Sequence, residues 1–251
     1  RQWPPASGQA RQEMQSLRIT GEMGVAGELE RVPFIIERRR PMGIRFELEL
    51  RTGATVQAFD GTTGWAVMPG AGDPVRLSPV QVRQLVQQTD PVGPLLRLAM
   101  RRSQPDQADP NDQTDPNDQA EEGEQVEDVE LGTLQLVKIR FEDELGEPVE
   151  CLVDKGSGLE LQRDWTGLVR GQPSPMRSIF RRYRQVGPLV LAHSVEVVNR
   201  ATARVNVIDV ERIELDPDLS DERFAMPGPA AESGPDADET AGEPEAAPSA
   251  G

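Results

Sequence analysis

IRFELELR, residues 44–51, decides how the chain is read, because Ile44, Phe46, Leu48 and Leu50 alternate with Arg45, Glu47, Glu49 and Arg51 without a break. Successive side chains of a strand point to opposite faces, so this stretch lays one face on a core and the other in water. It is read as a half-buried antiparallel strand. The same period, less strictly kept, runs through Leu17, Ile19, Gly21 and Met23. It recurs in Val32, Phe34 and Ile36, read as facing away from Glu37 and Arg38. Further on, LQLVKIRF, PVECLVD, SGLELQR, SIFRRYRQV, LVLAHSVEVV and ARVNVIDVERIEL are rich in strand-favouring residues and separated by Gly, Pro and Asp. The expectation is a mainly β chain, a long antiparallel meander, with few helices.

Two stretches depart from that rhythm. Ser78-Pro79 supplies an N-cap followed by proline at the first helical position, and Val82, Leu85 and Val86 then fall on one face. Asp90-Pro91 opens a second such unit, with Leu95, Leu98 and Ala99 recurring. Two short amphipathic helices in the middle of a sheet sequence are expected to lie across its concave side as a lid.

The net charge of −16, from 27 basic and 43 acidic residues, is unevenly distributed. Residues 103–130 hold eleven acids and no base, and the chain from Asp216 onward holds ten acids and one base. Removing that −11 and −9 leaves +4 for the rest, which lacks the concentrated basic surface of a nucleic-acid binder. The acidic stretch carries a tandem repeat, DQADPN then DQTDPN, with little to bury, and is expected to be a disordered insert over 103–130. Residues 1–13 are expected to be a flexible segment and 227–251 a disordered acidic tail, leaving one domain over 14–226 that the insert interrupts. One cysteine, Cys151, and one histidine, His193, cannot build a Cys/His metal centre, and no run is long and apolar enough for a membrane-spanning helix.

ATVQAFDGTTGWAVMPGAGDPVRLSP is the most diagnostic segment, and it resembles the strand, turn and strand of the LolA/LolB-like outer-membrane lipoprotein-sorting superfamily. The matching positions are Ala58, Phe59, Asp60, Gly61, Gly64, Trp65 and Pro69. The flanking order is similar too: SLRITGEM early, ERRRPMGIRFEL around Arg40-Pro41, LVDKGSGLELQR, then SIFRRYRQVGPLVLAHSVE with Ala192 where the pattern has proline, and DERFAMP at the close. Departures are the acidic insert, the tail and the absence of a helical pattern in residues 1–12. The resemblance implies a strongly curved, incomplete antiparallel β-barrel with a helical lid over a cavity for acyl chains. It implies a non-enzymatic, monomeric carrier or chaperone of the periplasm or cell envelope, with its signal peptide removed, that binds lipoprotein acyl chains or another lipid without a cofactor. Contact with the membrane would be peripheral or absent. The alternative is an envelope lipid sensor or interaction module, since the same fold resembles the lipid-sensing domain of periplasmic anti-sigma-factor regulators; the acidic arms would then meet a protein partner.

The expected cavity wall comprises Phe34, Ile36, Ile44, Phe46 and Leu48 on the early strands, Trp65 and Val67 around the GW turn, and Leu95 and Leu98 on the second helix. Each has a plainer reading as packed core, and a Trp after a tight turn is more often an anchor than a lining residue. Asp60-Gly61 reads as hairpin chemistry, and Cys151, between Val149 and Val153 on one strand face, as a small buried hydrophobe. His193 has no second histidine and no GxSxG elbow beside it, so it reads as structural. Asp109, Asp112, Asp115 and Asp118 lack the spacing of a calcium loop and read as a solvated spacer. Arg38, Arg39 and Arg40, and Arg181, Arg182 and Arg184, are candidates to face anionic headgroups or to be ordinary solvent-facing strand residues.

Overall fold

The computed structural model describes residues 14–71, 73–89, 125–143, 146–169 and 171–228. The first half is a run of antiparallel strands, β1 (Ser16–Val25), β2 (Val32–Arg39), β3 (Gly43–Leu50), β4 (Gly53–Phe59), β5 (Gly64–Val67) and the short β6 (Val75–Arg76), followed by helix α1 (Pro79–Gln88). The second half continues as β7 (Gln125–Leu131), β8 (Leu134–Glu142), β9 (Pro148–Asp154), β10 (Glu160–Val169), β11 (Gln172–Val186), β12 (Leu189–Asn199) and β13 (Val205–Leu215). All thirteen belong to one sheet, ordered β6-β5-β4-β3-β2-β1-β13-β12-β11-β10-β9-β8-β7. Within each half sequence neighbours pair, and within the sheet the two halves are joined where β1 pairs with β13. The edges β6 and β7 do not pair, so the barrel is incomplete.

The IRFELELR alternation settles the two faces as expected: Phe46 lies opposite Ile36 and Leu48 opposite Phe34, on the inner face with Ile19 and Met23. One side chain departs from the sequence reading. Arg38 shares the parity of Phe34 and Ile36 instead of facing away from them, and its Nη1 donates to the Thr89 carbonyl at the end of α1, 3.4 Å away. On β13 the inner face runs through Asn206, Ile208 and Val210 and then steps three residues to Ile213, because the register with β1 shifts between Thr20 and Gly21. A β-bulge re-aims the strand and keeps both apolar segments on the same side.

The acidic insert expected over 103–130 needs correction at its end. Residues 125–130 belong to β7, which pairs with β8 along its whole length. Two of its three acids meet cations: Asp128 takes Lys155 Nζ at 2.9 Å and Glu127 lies 3.8 Å from Arg140 Nη1. Cross-strand opposite charges, with Val126, Val129 and Leu131, suffice for strand pairing where charge counting alone reads as disorder. The repeats, the second helix expected from Asp90-Pro91, and both chain ends lie outside the described residues.

Helix α1 begins as its sequence dictates. Ser78 Oγ accepts from the Gln81 N–H and Gln81 Oε1 accepts from the Ser78 N–H, a reciprocal capping box with proline at the first position. The strand below approaches it closely, since a Cβ on Gly64 would sit 2.3 Å from Val82 Cγ2. The hairpin before that strand is fixed by Asp60. Its Oδ1 accepts from the Thr62 and Thr63 N–H groups and the Thr62 hydroxyl. Partial burial pushes this carboxyl up, but the bonds from Thr63 and Thr62 outweigh it and hold its pKa below the ordinary value.

The outer face of β1–β5 is covered by the chain after β13. Leu219 and Phe224 are buried there, and Trp65 Nε1 donates to the Phe224 carbonyl at 2.8 Å. Beneath this strap Glu37 is 0% exposed and accepts from Arg18 Nε at 2.8 Å and from Arg223 Nε and Nη2 at 2.8 and 3.0 Å. Arg39 bonds the Leu219 carbonyl at 2.7 Å and pairs with Asp221.

Candidate functional site

Curling of the sheet turns its two halves toward each other around a cavity of about 710 Å³. Phe34, Phe46 and Leu48 wall it on one side and Phe141, Trp165 and Met176 on the other. β1 and β13 make the floor between them through Ile19, Ile208 and Ile213. Helix α1 crosses the mouth, turning Val82 and Val86 into the space and resting on β3 and β4. From the opposite flank of the mouth two polar contacts reach it. Gln84 Nε2 donates to the Leu168 carbonyl at 3.2 Å, and Gln87 Nε2 donates to Asp143 Oδ2 at 3.1 Å.

The walls are apolar with a few fixed polar groups, the composition of a small-molecule site. Trp165 Nε1 donates to Ser178 Oγ at 3.0 Å, so its ring faces the cavity with its polar atom satisfied. Arg163 also reaches the wall. Its guanidinium forms a two-bond fork with Glu160, at 2.8 and 2.6 Å, and lies 5.0 Å from the centre of the Phe180 ring. Carboxylate and guanidinium neutralise each other there, which is what an arginine among aromatic and aliphatic groups requires.

Of the wall expected from the sequence, Phe34, Ile36, Phe46 and Leu48 line the cavity. Ile44 does not; it has their parity but is buried at 2% exposure, on a strand that α1 covers. Trp65 and Val67 are also absent from the lining, for a different reason. Gly64 faces α1, so by strand alternation Trp65 and Val67 point to the outer face, where Trp65 anchors the strap. Leu95 and Leu98 lie outside the described residues. The sequence reading missed the whole second wall, Phe141, Trp165, Met176 and Phe180, although LQLVKIRF and SIFRRYRQV carry the same period-two signal as β3.

His193 is buried with Nδ1 3.0 Å from the Leu191 carbonyl, and Ser194 Oγ contacts Asp209 at 3.4 Å. Burial pushes the Cys151 thiol far up, so it holds its proton at neutral pH. Among the described residues no group of three or more His, Cys, Asp or Glu is placed to hold a metal ion, and no helix is long and apolar enough to cross a membrane.

No protein-family model and no curated protein sequence matches the chain. Solved structures do. A LolA superfamily protein from Nitrosomonas europaea superposes with a TM-score of 0.55 over 90% of this chain and 92% of its own, at 11% identity. The fold is LolA-like. A Vibrio parahaemolyticus structure described as an outer membrane lipoprotein-sorting protein domain gives a TM-score of 0.51 at 14% identity, over 86% of this chain and 92% of its own. A DUF1329 family protein from Desulfovibrio piger gives 0.54 at 12% identity, over 87% and 92%. In the LolA-like fold of this chain, the segment from Ala58 to Pro69 that carries the sequence resemblance is the β4–β5 hairpin beneath the start of α1.

Proposed function

We propose that the protein is a non-enzymatic carrier of the cell envelope that takes lipoprotein acyl chains, or another lipid, into the cavity under α1. The observation that carries this reading is the cavity itself: about 710 Å³, walled by facing aromatic and aliphatic side chains, with its mouth bridged by one amphipathic helix. A chain transferred from water to such walls gains about 0.8 kcal/mol per CH₂, so a long acyl chain supplies ample driving force without any chemical step. The bonds of Gln84 and Gln87 along one flank of the helix offer little resistance to a way in, since each contributes only about 1 kcal/mol net. The lipoprotein-sorting description of the Vibrio parahaemolyticus structure supports the same reading by its fold.

Native mass spectrometry of the purified protein, followed by organic extraction, tests it. A lipid retained at about one per chain is expected. Stoichiometric capture of a protein with no lipid transfer would replace the carrier with a sensor. A second test addresses the wall: Phe46→Glu places a carboxylate inside the cavity, and Nile red, a neutral apolar dye, is expected to bind at least about tenfold more weakly. Unchanged binding by a variant that melts as the parent does would remove β3 from the site.

A further inference from the structure

The cavity wall is apolar, but its rim carries charge, and among the described residues more of that charge is negative than positive. Among the described residues three carboxylates, Glu142, Asp143 and Glu147, stand on the rim at the β8–β9 turn, with one exposed cation, Arg83 of α1. The other arginines nearby are committed elsewhere. Arg163 is neutralised by Glu160 within the wall, and Arg38, which does not line the cavity, donates to the carbonyl of Thr89, the residue that caps α1. Asp143 is held in place, accepting from Gln87 Nε2 and from the Glu147 N–H at 3.0 Å, so the acidic turn is fixed to the helix that crosses the mouth. The carboxylates of Glu142 and Glu147 have no hydrogen bond or ion pair among the described residues and present their charge to whatever occupies the opening.

A ligand whose apolar part fills the cavity must leave its polar end at this rim. Walls of low dielectric concentrate the field of the rim charges on that end, which lies within about one Debye length of them (~8 Å at physiological salt). We infer that the ligand is an amphiphile whose polar end is positively charged, and that anionic amphiphiles of the same chain length are disfavoured. The inference rests on the cavity being a ligand site, and it adds the chemical class of what enters.

Three twelve-carbon probes that differ only at the polar end test it: dodecylamine, N-dodecylacetamide and dodecanoate, each displacing Nile red from the full chain at pH 7 and low ionic strength. Dodecylamine is expected to bind about tenfold more tightly than dodecanoate, with the amide between them and the difference shrinking in 0.5 M salt. Glu142→Lys with Glu147→Lys is expected to reverse the order. Glu28→Lys with Glu211→Lys, an equal charge change at exposed positions off the cavity, is expected to leave it in place, which separates the rim from the overall charge of −16. Nile red binding with dodecanoate displacing as well as dodecylamine would overturn the inference and leave the cavity reading standing. So would reversal by the distant pair. Failure of Nile red and all three probes to bind would remove the cavity reading, and this inference with it.

Discussion

Glu37→Ala is expected to lower the free energy of unfolding by about 3 kcal/mol, read as a fall in urea midpoint at unchanged m-value. Glu37 is fully buried between β1 and the strap, and its carboxylate accepts three N–H bonds from Arg18 and Arg223. Removing the carboxylate leaves Arg223 without its counter-charge and Arg18 with Glu214 alone, 3.2 Å from its Nη1. Loss of one partner from a buried ion network costs about 3–5 kcal/mol, and the low end applies because Arg18 and Arg223 are 29% and 41% exposed and can turn toward water. Glu49→Ala, at an exposed position on the neighbouring strand, is the control and should stay within about 0.5 kcal/mol of the parent. A loss below about 1 kcal/mol for Glu37→Ala would mean that the strap contributes little to stability.

The second large effect is expected from one added methyl group. A Cβ on Gly21 would lie 2.1 Å from the Asp209 carbonyl oxygen and 3.0 Å from Val210 Cα, all backbone atoms of the paired strand. A clash with a flexible side chain can be relieved by rotation, whereas this one can be relieved only by separating β1 from β13 at the bulge. Gly21→Ala should therefore cost about 3 kcal/mol, the upper end for overpacking, with amide exchange accelerated along β1 and β13 in particular. Gly156→Ala, whose added atom would meet nothing closer than 3.7 Å, should be nearly neutral. Equal behaviour of the two variants would show that the bulge yields without strain.

The period of the strands was legible in the chain, and the side each face would serve was not. IRFELELR defines two faces, and Phe46 and Leu48 line the cavity as that alternation requires. For GWAV the alternation is equally visible, yet nothing local says that Gly64, not Trp65, meets a helix fourteen or more residues further on. For that reason the outward turn of Trp65 and Val67, away from the cavity, is not legible in GWAV. The three-residue step from Val210 to Ile213 is a readable sign of the bulge, since strict alternation fails there while the apolar pattern resumes beyond it. Glu37 left no sign at all. It stands where an alternating strand puts a solvent-facing charge, and only the return of Arg223 from 186 residues away converts it into a buried one. Arg163 was illegible on the same grounds, because its partner Glu160 reaches the same face through the register shift in β10.

The single junction between β1 and β13 has a consequence for how the molecule assembles. Every other neighbouring pair in the sheet is also a neighbour in sequence and closes a short loop, while Leu17 and Leu215 must find each other across almost the whole chain. Loop-closure entropy rises only with the logarithm of loop length, so the thermodynamic cost of this one long closure is modest, but the search for it is slow. Two meanders can each zip locally before they are stitched together along one seam, and the floor of the cavity exists only after that last stitch.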